Sequence, residues 1–371
     1  MNKPRSLYLH IPFCLSKCRY CDFASAPTDG STRAAYLSAL RREILSLPEG
    51  ELDTVYFGGG TPSLLTEREL AALMGAITLR FHLSNNAEIT LEANPKTATQ
   101  DKLRAFRALG ISRLSIGMQS MIPSELAALG RAHSREDFLR TYENARTVGF
   151  RSVNVDLMYG IPEQTIETLT ETLDALLAVS PDHISAYGLI LEEGTPFYSA
   201  RNTLALPDED TEFEMYGVVT SRLREAGFCH YEVSNYAISG HECKHNLVYW
   251  RQMPYYAAGL AASSFVGGLR RTNTRDMRAY LTDPLSAAAE MVRVEGADAE
   301  FEYIMLALRL SEGIDEATFF DRFGVRFRDK YADKLAPYLR AGYLLLTDKR
   351  TALTEKGLYV SSALLAELCP D

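Results

Sequence analysis

Three cysteines fall within eight positions, in the run Cys14-Leu15-Ser16-Lys17-Cys18-Arg19-Tyr20-Cys21, spaced C-x3-C-x2-C. Thiolates are soft ligands suited to zinc or to an iron–sulfur cluster. Structural zinc takes four protein ligands, and no fourth Cys or His follows closely here. Three thiolates on a cubane cluster leave one iron without a protein ligand, open to a small chelating molecule. Two plainer readings stand beside this one. One is zinc completed by distant Cys229, Cys243 or a histidine, and the other is a set of inert core thiols. The chain has six cysteines in 371 residues, too few for a disulfide scaffold, so the clustered three point to metal or redox chemistry in a reducing compartment.

Other residues capable of chemistry sit at the ends of short apolar runs. Such runs occur at 7–13, 53–58, 88–92, 112–117, 152–157 and 182–190 and predict strands. Between them lie stretches with helical periodicity at 31–47, 99–109, 134–148 and 165–179; in the first, Leu37, Leu40, Ile44 and Leu47 recur on one face and Ser31 is a candidate N-cap. Strand–helix alternation implies a parallel sheet with right-handed crossovers. Six such units fit a barrel, complete or partial, or an open doubly wound sheet, and periodicity does not choose between them. Cys14, the run Gly58–Pro62, Glu92, Gln119 and Asp156 each follow or end a predicted strand. In parallel α/β folds that rim is the ligand-binding face. The glycines would let backbone approach a ligand closely, or simply make a tight turn. Glu92 could take an amine or hydroxyl, or cap the next helix. Asp156 suits ribose hydroxyls, and Arg131 reads on its own as a solvated charge.

Past residue 190 the rhythm changes. A loop is predicted at 192–210, a helix at about 208–226, an alternating run at 230–237, and a crowd of His, Asn, Tyr, Trp, Gly and Ser at 241–268. Helical pattern returns from about 290, followed by a hairpin-like 343–354 and a last helix, resembling a small winged-helix-like domain. The expected division is 1–285 and 286–371. Residues 298–371 carry 10 Lys and Arg against 13 Asp and Glu, so a packing or capping role is preferred there to DNA binding. The net charge of −9 argues against a nucleic-acid partner, and the 46% hydrophobic content excludes disorder. No run of about 18 apolar residues predicts a membrane span. The first 13 residues read as a strand rather than a signal peptide, so a cytoplasmic location is expected.

The cysteine spacing at the end of a first strand resembles the hallmark of radical S-adenosylmethionine proteins. The resemblance implies a partial (β/α)6 TIM-like barrel. It also implies a [4Fe-4S] cluster on Cys14, Cys18 and Cys21, with S-adenosyl-L-methionine chelating the open iron through its amino and carboxylate groups. An electron from such a cluster splits the sulfonium into methionine and a 5′-deoxyadenosyl radical. Positions matching the family's nucleotide site are Tyr8, Tyr20, Gly59, Gly60, Thr61, Glu92, Gln119, Arg131 and Asp156.

Within that family, Tyr8–Cys14, Gly58–Ser63 and the run 155–165 are similar to the group containing oxygen-independent coproporphyrinogen III oxidase and the HemW-type haem chaperones. The oxidase carries another cysteine two positions after the third, and an extension ahead of the cluster. Here Phe23 stands at that position and 13 residues precede Cys14. The run His245-Asn246-Leu247-Val248-Tyr249-Trp250 matches the chaperones' HNxxYW motif, which implies His245 as a haem ligand. An imidazole is a common axial ligand and aromatics pack on a porphyrin plane, although a histidine beside aromatics is more often hydrogen-bonded core. His10, His241 and Cys243 are further candidate iron ligands. Ser263, in Gly259–Ser264, stands where relatives often have histidine. The expectation is thus a haem chaperone that binds haem as cargo and passes it to an unidentified acceptor protein, with an electron donor as a further partner and no catalytic residue assigned. The alternatives are the oxidase of porphyrin biosynthesis, a radical enzyme that alters haem, and a zinc-bound structural protein.

Overall fold

A computed structural model describes residues 3–369. All six predicted strands form: β1 (Ser6–Ile11), β2 (Gly50–Gly59), β3 (Phe81–Ala93), β4 (Arg113–Gln119), β5 (Ser152–Tyr159) and β6 (His183–Gly188). The crossovers are α1 (Gly30–Ser46), α2 (Glu67–Arg80), α3 (Gln100–Ala108), the pair α4 (Pro123–Leu129) and α5 (Arg135–Thr147), and α6 (Ile166–Ala178). Helix α1 is capped by Asp29 rather than the predicted Ser31. The Asp29 carboxylate accepts from the N–H groups of Ser31 and Thr32 and from the Ser31 hydroxyl, so that serine is the capped residue and not the cap. Helix α2 opens on a capping box between Thr66 and Glu69.

Strands β1 to β6 lie side by side in chain order, all parallel. An order without reversal places every right-handed crossover on the same face, which gives a curved, barrel-like sheet rather than a doubly wound one. The sheet stays open. After α7 (Pro196–Ser199) and α8 (Glu209–Glu225), the alternating run becomes two short strands, β7 (Cys229–Glu232) and β8 (Asn235–Ala237), and β8 pairs antiparallel to β6. At the other edge, past α9 (Lys244–Trp250), strand β9 (Tyr256–Ala258) joins parallel to β1.

The two faces of this sheet differ in chemistry. Leu7, Leu9, Val55, Phe57, Leu114, Ile116, Val153 and Val155, all at 0% exposure, alternate with Tyr8, His10, Thr54, Tyr56, Arg113, Ser115, Asn154 and Asp156. The apolar set belongs to the main core together with residues of the crossover helices. The inward set is polar. A parallel sheet filled on both sides by hydrocarbon reads as a nearly continuous apolar run, so this alternation marks a concave face built around polar contents.

Residues beyond β9 form a three-stranded antiparallel sheet of β10 (Ser263–Val266), β11 (Leu269–Asn273) and β12 (Ala288–Arg293), with α10 (Met277–Thr282) between the last two. Buried Glu43 of α1 ties this extension down. It accepts from the Gly259 N–H at 2.8 Å, Asn273 Nδ2 at 2.7 Å and the Tyr280 hydroxyl at 2.6 Å. From Gly296 the chain is mainly helical, with a hairpin of Leu344–Leu346 and Arg350–Leu353 pairing to Ile314–Asp315. That unit has its own core around Ile304, Phe319, Phe327 and Leu364.

Candidate functional site

The cysteine loop leaves the end of β1 and is pinned to the turn after β2. Gly60 N–H donates to Ile11 O at 2.9 Å and Thr61 N–H to Phe13 O at 2.7 Å. This close approach explains the glycines. A Cβ on Gly60 would lie 2.7 Å from Phe13 O and 3.1 Å from Cys14 Sγ, and one on Gly59 would lie 2.5 Å from the His10 ring. Gly59 also has φ +109°, a conformation that glycine adopts freely. The Thr61 hydroxyl points at Cys14 Sγ, 3.7 Å away. His10 itself bonds Tyr8 OH at 3.1 Å and Ala24 O at 3.0 Å, so it braces the loop from inside.

Cys14, Cys18 and Cys21 are free and half-buried, and they line one cavity of about 480 Å³. Among the described residues, no group of three or more His, Cys, Asp or Glu side chains is placed to hold a single metal ion. The distant cysteines do not reach this cavity: Cys229 is exposed, and buried Cys243 points its thiol at Glu88, 3.6 Å away. The donor set facing the cavity is therefore three thiols, which fits the three protein corners of a cubane better than the four ligands of a zinc site. Burial pushes the Cys21 thiol up from its ordinary range.

The cavity also gathers Tyr20, Gly59, Gly60, Thr61, Glu92, Gln119, Arg131 and Asp156. Tyr8 is set just outside this lining, its ring beside Tyr56 and within 3.0 Å of where a Gly58 Cβ would sit. Arg131, read from sequence alone as a solvated charge, is buried in the wall. It donates to Gly117 O at 2.6 Å, and Nη1 reaches Cys18 Sγ at 3.6 Å. It lies in the link after α4. Gln119, the last residue of β4, has φ +69°, an uncommon conformation for a residue with a side chain. Its amide oxygen accepts from Tyr187 OH at 2.9 Å.

Glu92 and Asp156 both line the cavity, and the Asp156 charge acts on Glu92. Burial first, and then the Asp156 charge, push the Glu92 carboxyl up to about 7, against hydrogen bonds from Tyr56 OH and Gly59 N–H. Burial likewise holds Asp156 at about 6, opposed by the 2.7 Å bond from Asn154 Nδ2. Asp156 lies inside β5, which runs three residues past it to Tyr159. Two carboxyls beside open polar space can receive hydroxyl or amine groups from a ligand.

His245 sits elsewhere. It is 1% exposed and stacks on Tyr56 with ring centroids 5.2 Å apart. Nδ1 bonds Thr54 Oγ1 at 2.7 Å and Nε2 bonds Tyr249 OH at 2.8 Å. Its neighbour Asn246 does line the cysteine cavity. Ser263 bonds Thr272 across β10 and β11 at 3.1 Å.

Several cavity residues were not singled out from sequence: Tyr56, Arg113, Ser115, Asn154, Ser185 and Tyr187. The signal that could have found most of them is the polar half of the two-residue alternation on β2, β4, β5 and β6.

Comparison with known proteins agrees with this geometry. The profile of the Radical SAM superfamily matches residues 8–176, and that of the HemN C-terminal domain matches residues 294–360. A relative from Mycobacterium tuberculosis (strain CDC 1551 / Oshkosh) named Heme chaperone HemW is 38% identical over 99% of this chain and 95% of its own length. Relatives of the same name from Escherichia coli (strain K12) and Bacillus subtilis (strain 168) are 34% and 32% identical, covering 98% and 95% of this chain and 97% and 96% of their own lengths. The solved structure of coproporphyrinogen III oxidase (HemN) from Escherichia coli superposes with a TM-score of 0.86 over 99% of this chain and 90% of that one, at 24% identity, which shows the shared fold. The chain belongs to the radical SAM superfamily, in the branch that carries a HemN-type C-terminal domain and includes the relatives named Heme chaperone HemW.

Proposed function

We propose that this protein is a haem chaperone, which binds haem and transfers it to an acceptor protein while carrying a [4Fe-4S] cluster and S-adenosylmethionine. The observation that carries this reading is the near full-length similarity to several relatives named Heme chaperone HemW. Phe23 supports it: at the position where the oxidase has a further cysteine, this chain has an apolar ring, 57% exposed.

Cys14, Cys18 and Cys21 would hold the cluster, and the nucleotide would lie along Gly59–Thr61, Glu92, Gln119, Arg131 and Asp156. When bound, the cluster supplies an electron for cleavage of the sulfonium. The chain's own residues fix the surroundings. Arg131 keeps a positive charge against the Cys18 sulfur, and Glu92 and Asp156 offer carboxyl oxygens to ligand hydroxyls. Haem ligation is assigned to His245, whose Nε2 must leave the Tyr249 hydroxyl before iron can take it.

The test uses one anaerobically reconstituted sample. It is titrated with haem, and its activity on coproporphyrinogen III is measured with S-adenosylmethionine and a reductant. Saturable haem binding without decarboxylation is expected. Decarboxylation without haem binding would replace this reading with the oxidase. Cys18→Ala should remove the brown chromophore and leave the circular dichroism of the barrel intact.

A further inference from the structure

Arg113 opens β4 on the inward face, in a cross-strand row with Thr90, Tyr56 and Tyr8. It is 2% exposed and lines the floor of the cysteine cavity, six residues along β4 before Gln119 at the rim. Arg33 pairs with Glu69 and Arg146 with Asp182; Arg131, in the cavity wall, has no carboxylate partner but is held by Gly117 O and Cys18 Sγ, with its Nε unpartnered. Among the described residues the Arg113 guanidinium has no such ion pair, and its buried Nε has no hydrogen-bond partner. The carboxylate with the strongest field on it, Glu88, turns Oε1 to Cys243 Sγ and the His245 N–H and makes no ion pair with Arg113. Thr90, the register neighbour of Arg113, is fully buried and its hydroxyl also lacks a partner.

The layer above differs. Asn154 gives Nδ2 to Ser115 and Asp156 and accepts at Oδ1 from Ser185 and His183, so that network is closed. At the floor, the unmet polar capacity that reaches the cavity is thus concentrated on one cationic fork. Buried charges are normally paired, and a guanidinium presents parallel N–H groups that match the two oxygens of a carboxylate.

We propose that Arg113 anchors a carboxylate-binding subsite at the cavity floor, distinct from the nucleotide contacts at the strand ends. The carboxylate has two possible sources: a propionate of a tetrapyrrole, which rests on the haem reading above, or a free small dicarboxylic acid.

Full-length reconstituted protein and its Arg113→Gln and Arg113→Lys variants are titrated with haem, haem dimethyl ester and succinate. Loss of about tenfold or more in affinity for a charged acid in Arg113→Gln, partly recovered in Arg113→Lys, is expected. If haem shows the loss and the ester binds all three proteins equally, the source is a propionate. If only succinate shows it, read as a concentration-dependent rise in melting temperature, the source is a free acid. Wild-type protein that binds no haem retires the chaperone reading and leaves succinate to decide this one. Equal affinities across the three proteins for both haem and succinate, with Arg113→Gln merely melting lower, would overturn the proposal and leave Arg113 a buried structural cation.

Discussion

His245 and Tyr249 stand one turn apart on α9 and are joined through Nε2 and the phenol oxygen at 2.8 Å. Thr54 closes Nδ1 at 2.7 Å, so neither ring nitrogen is spare. Burial holds the imidazole down to about 3, that is, neutral at any ordinary pH, which is the form that ligates iron. Tyr249→Phe removes the competitor for Nε2 and keeps the ring. If His245 receives haem iron, Tyr249→Phe should bind haem several-fold more tightly and His245→Ala should lose the histidine-ligated spectrum. An unchanged spectrum in His245→Ala would assign the motif histidine to packing. That variant should in either case lose about 2–4 kcal/mol of stability, since it leaves a cavity and two buried hydroxyls unpaired.

Glu92 carries a cost that depends on pH. Its native carboxyl titrates at about 7, above the ordinary value of 4.5. Between those values the folded protein holds a proton that the unfolded chain has released, so stability falls as pH rises through this window. Glu92→Gln removes the effect. The variant without nucleotide should be more stable than wild type by about 1–2 kcal/mol at pH 8, a figure reduced because the cavity admits water, and little changed at pH 4.5. Its affinity for S-adenosylmethionine should drop, because the acceptor oxygens are halved. Chemical denaturation at the two pH values checks the sign.

The glycines of the turn after β2 make a graded test. Gly59→Ala meets the His10 ring at 2.5 Å and must hold φ +109°. It should cost on the order of 1–3 kcal/mol and displace the brace on the cysteine loop. Gly60→Ala meets backbone oxygens and the Cys14 sulfur, so it should lower iron and sulfide content per chain more than it lowers melting temperature. Gly75→Ala, on α2 with nothing within 4 Å of the new carbon, should gain about 0.5–1 kcal/mol. Equal effects at all three positions would contradict the contact argument.

The strands and most crossover helices were legible because each carries its own period, and the rim was legible because Cys14, Glu92, Gln119 and Asp156 close or follow apolar runs. What could not be read is where one side chain meets another across the sheet. Arg131 looked solvated because nothing in its neighbourhood of sequence reveals Gly117 O or Cys18 Sγ as partners. For His245 the sequence left haem ligand and hydrogen-bonded core histidine both open, because its partner Thr54 lies 191 positions away. The stretch 241–268 gave no period at all, since it holds a seven-residue helix and strands of three and four residues, each too short to repeat.

Glu43 offers the sharpest stability prediction, because one buried carboxylate serves three donors from the 259–280 extension. Arg271 stands 3.7 Å away and supplies the nearest opposing charge. Burial pushes the carboxyl up, while Tyr280, Asn273 and Gly259 pull it back. Glu43→Leu fills the space but strands the Gly259 N–H and the Tyr280 phenol away from water and leaves Asn273 Nδ2 only Gly259 O. The expected loss is about 3 kcal/mol or more. Glu43→Gln keeps one acceptor oxygen and should lose less. Since Tyr36 also bonds His10 O at 2.7 Å and accepts from the Leu260 N–H at 3.0 Å, loosening the extension should reach the end of β1. Hydrogen exchange in Glu43→Leu should therefore quicken first at 256–273, then at the cysteine loop, and least at β4 and β5. Uniform acceleration would mean that Glu43 supports the whole barrel rather than this one attachment.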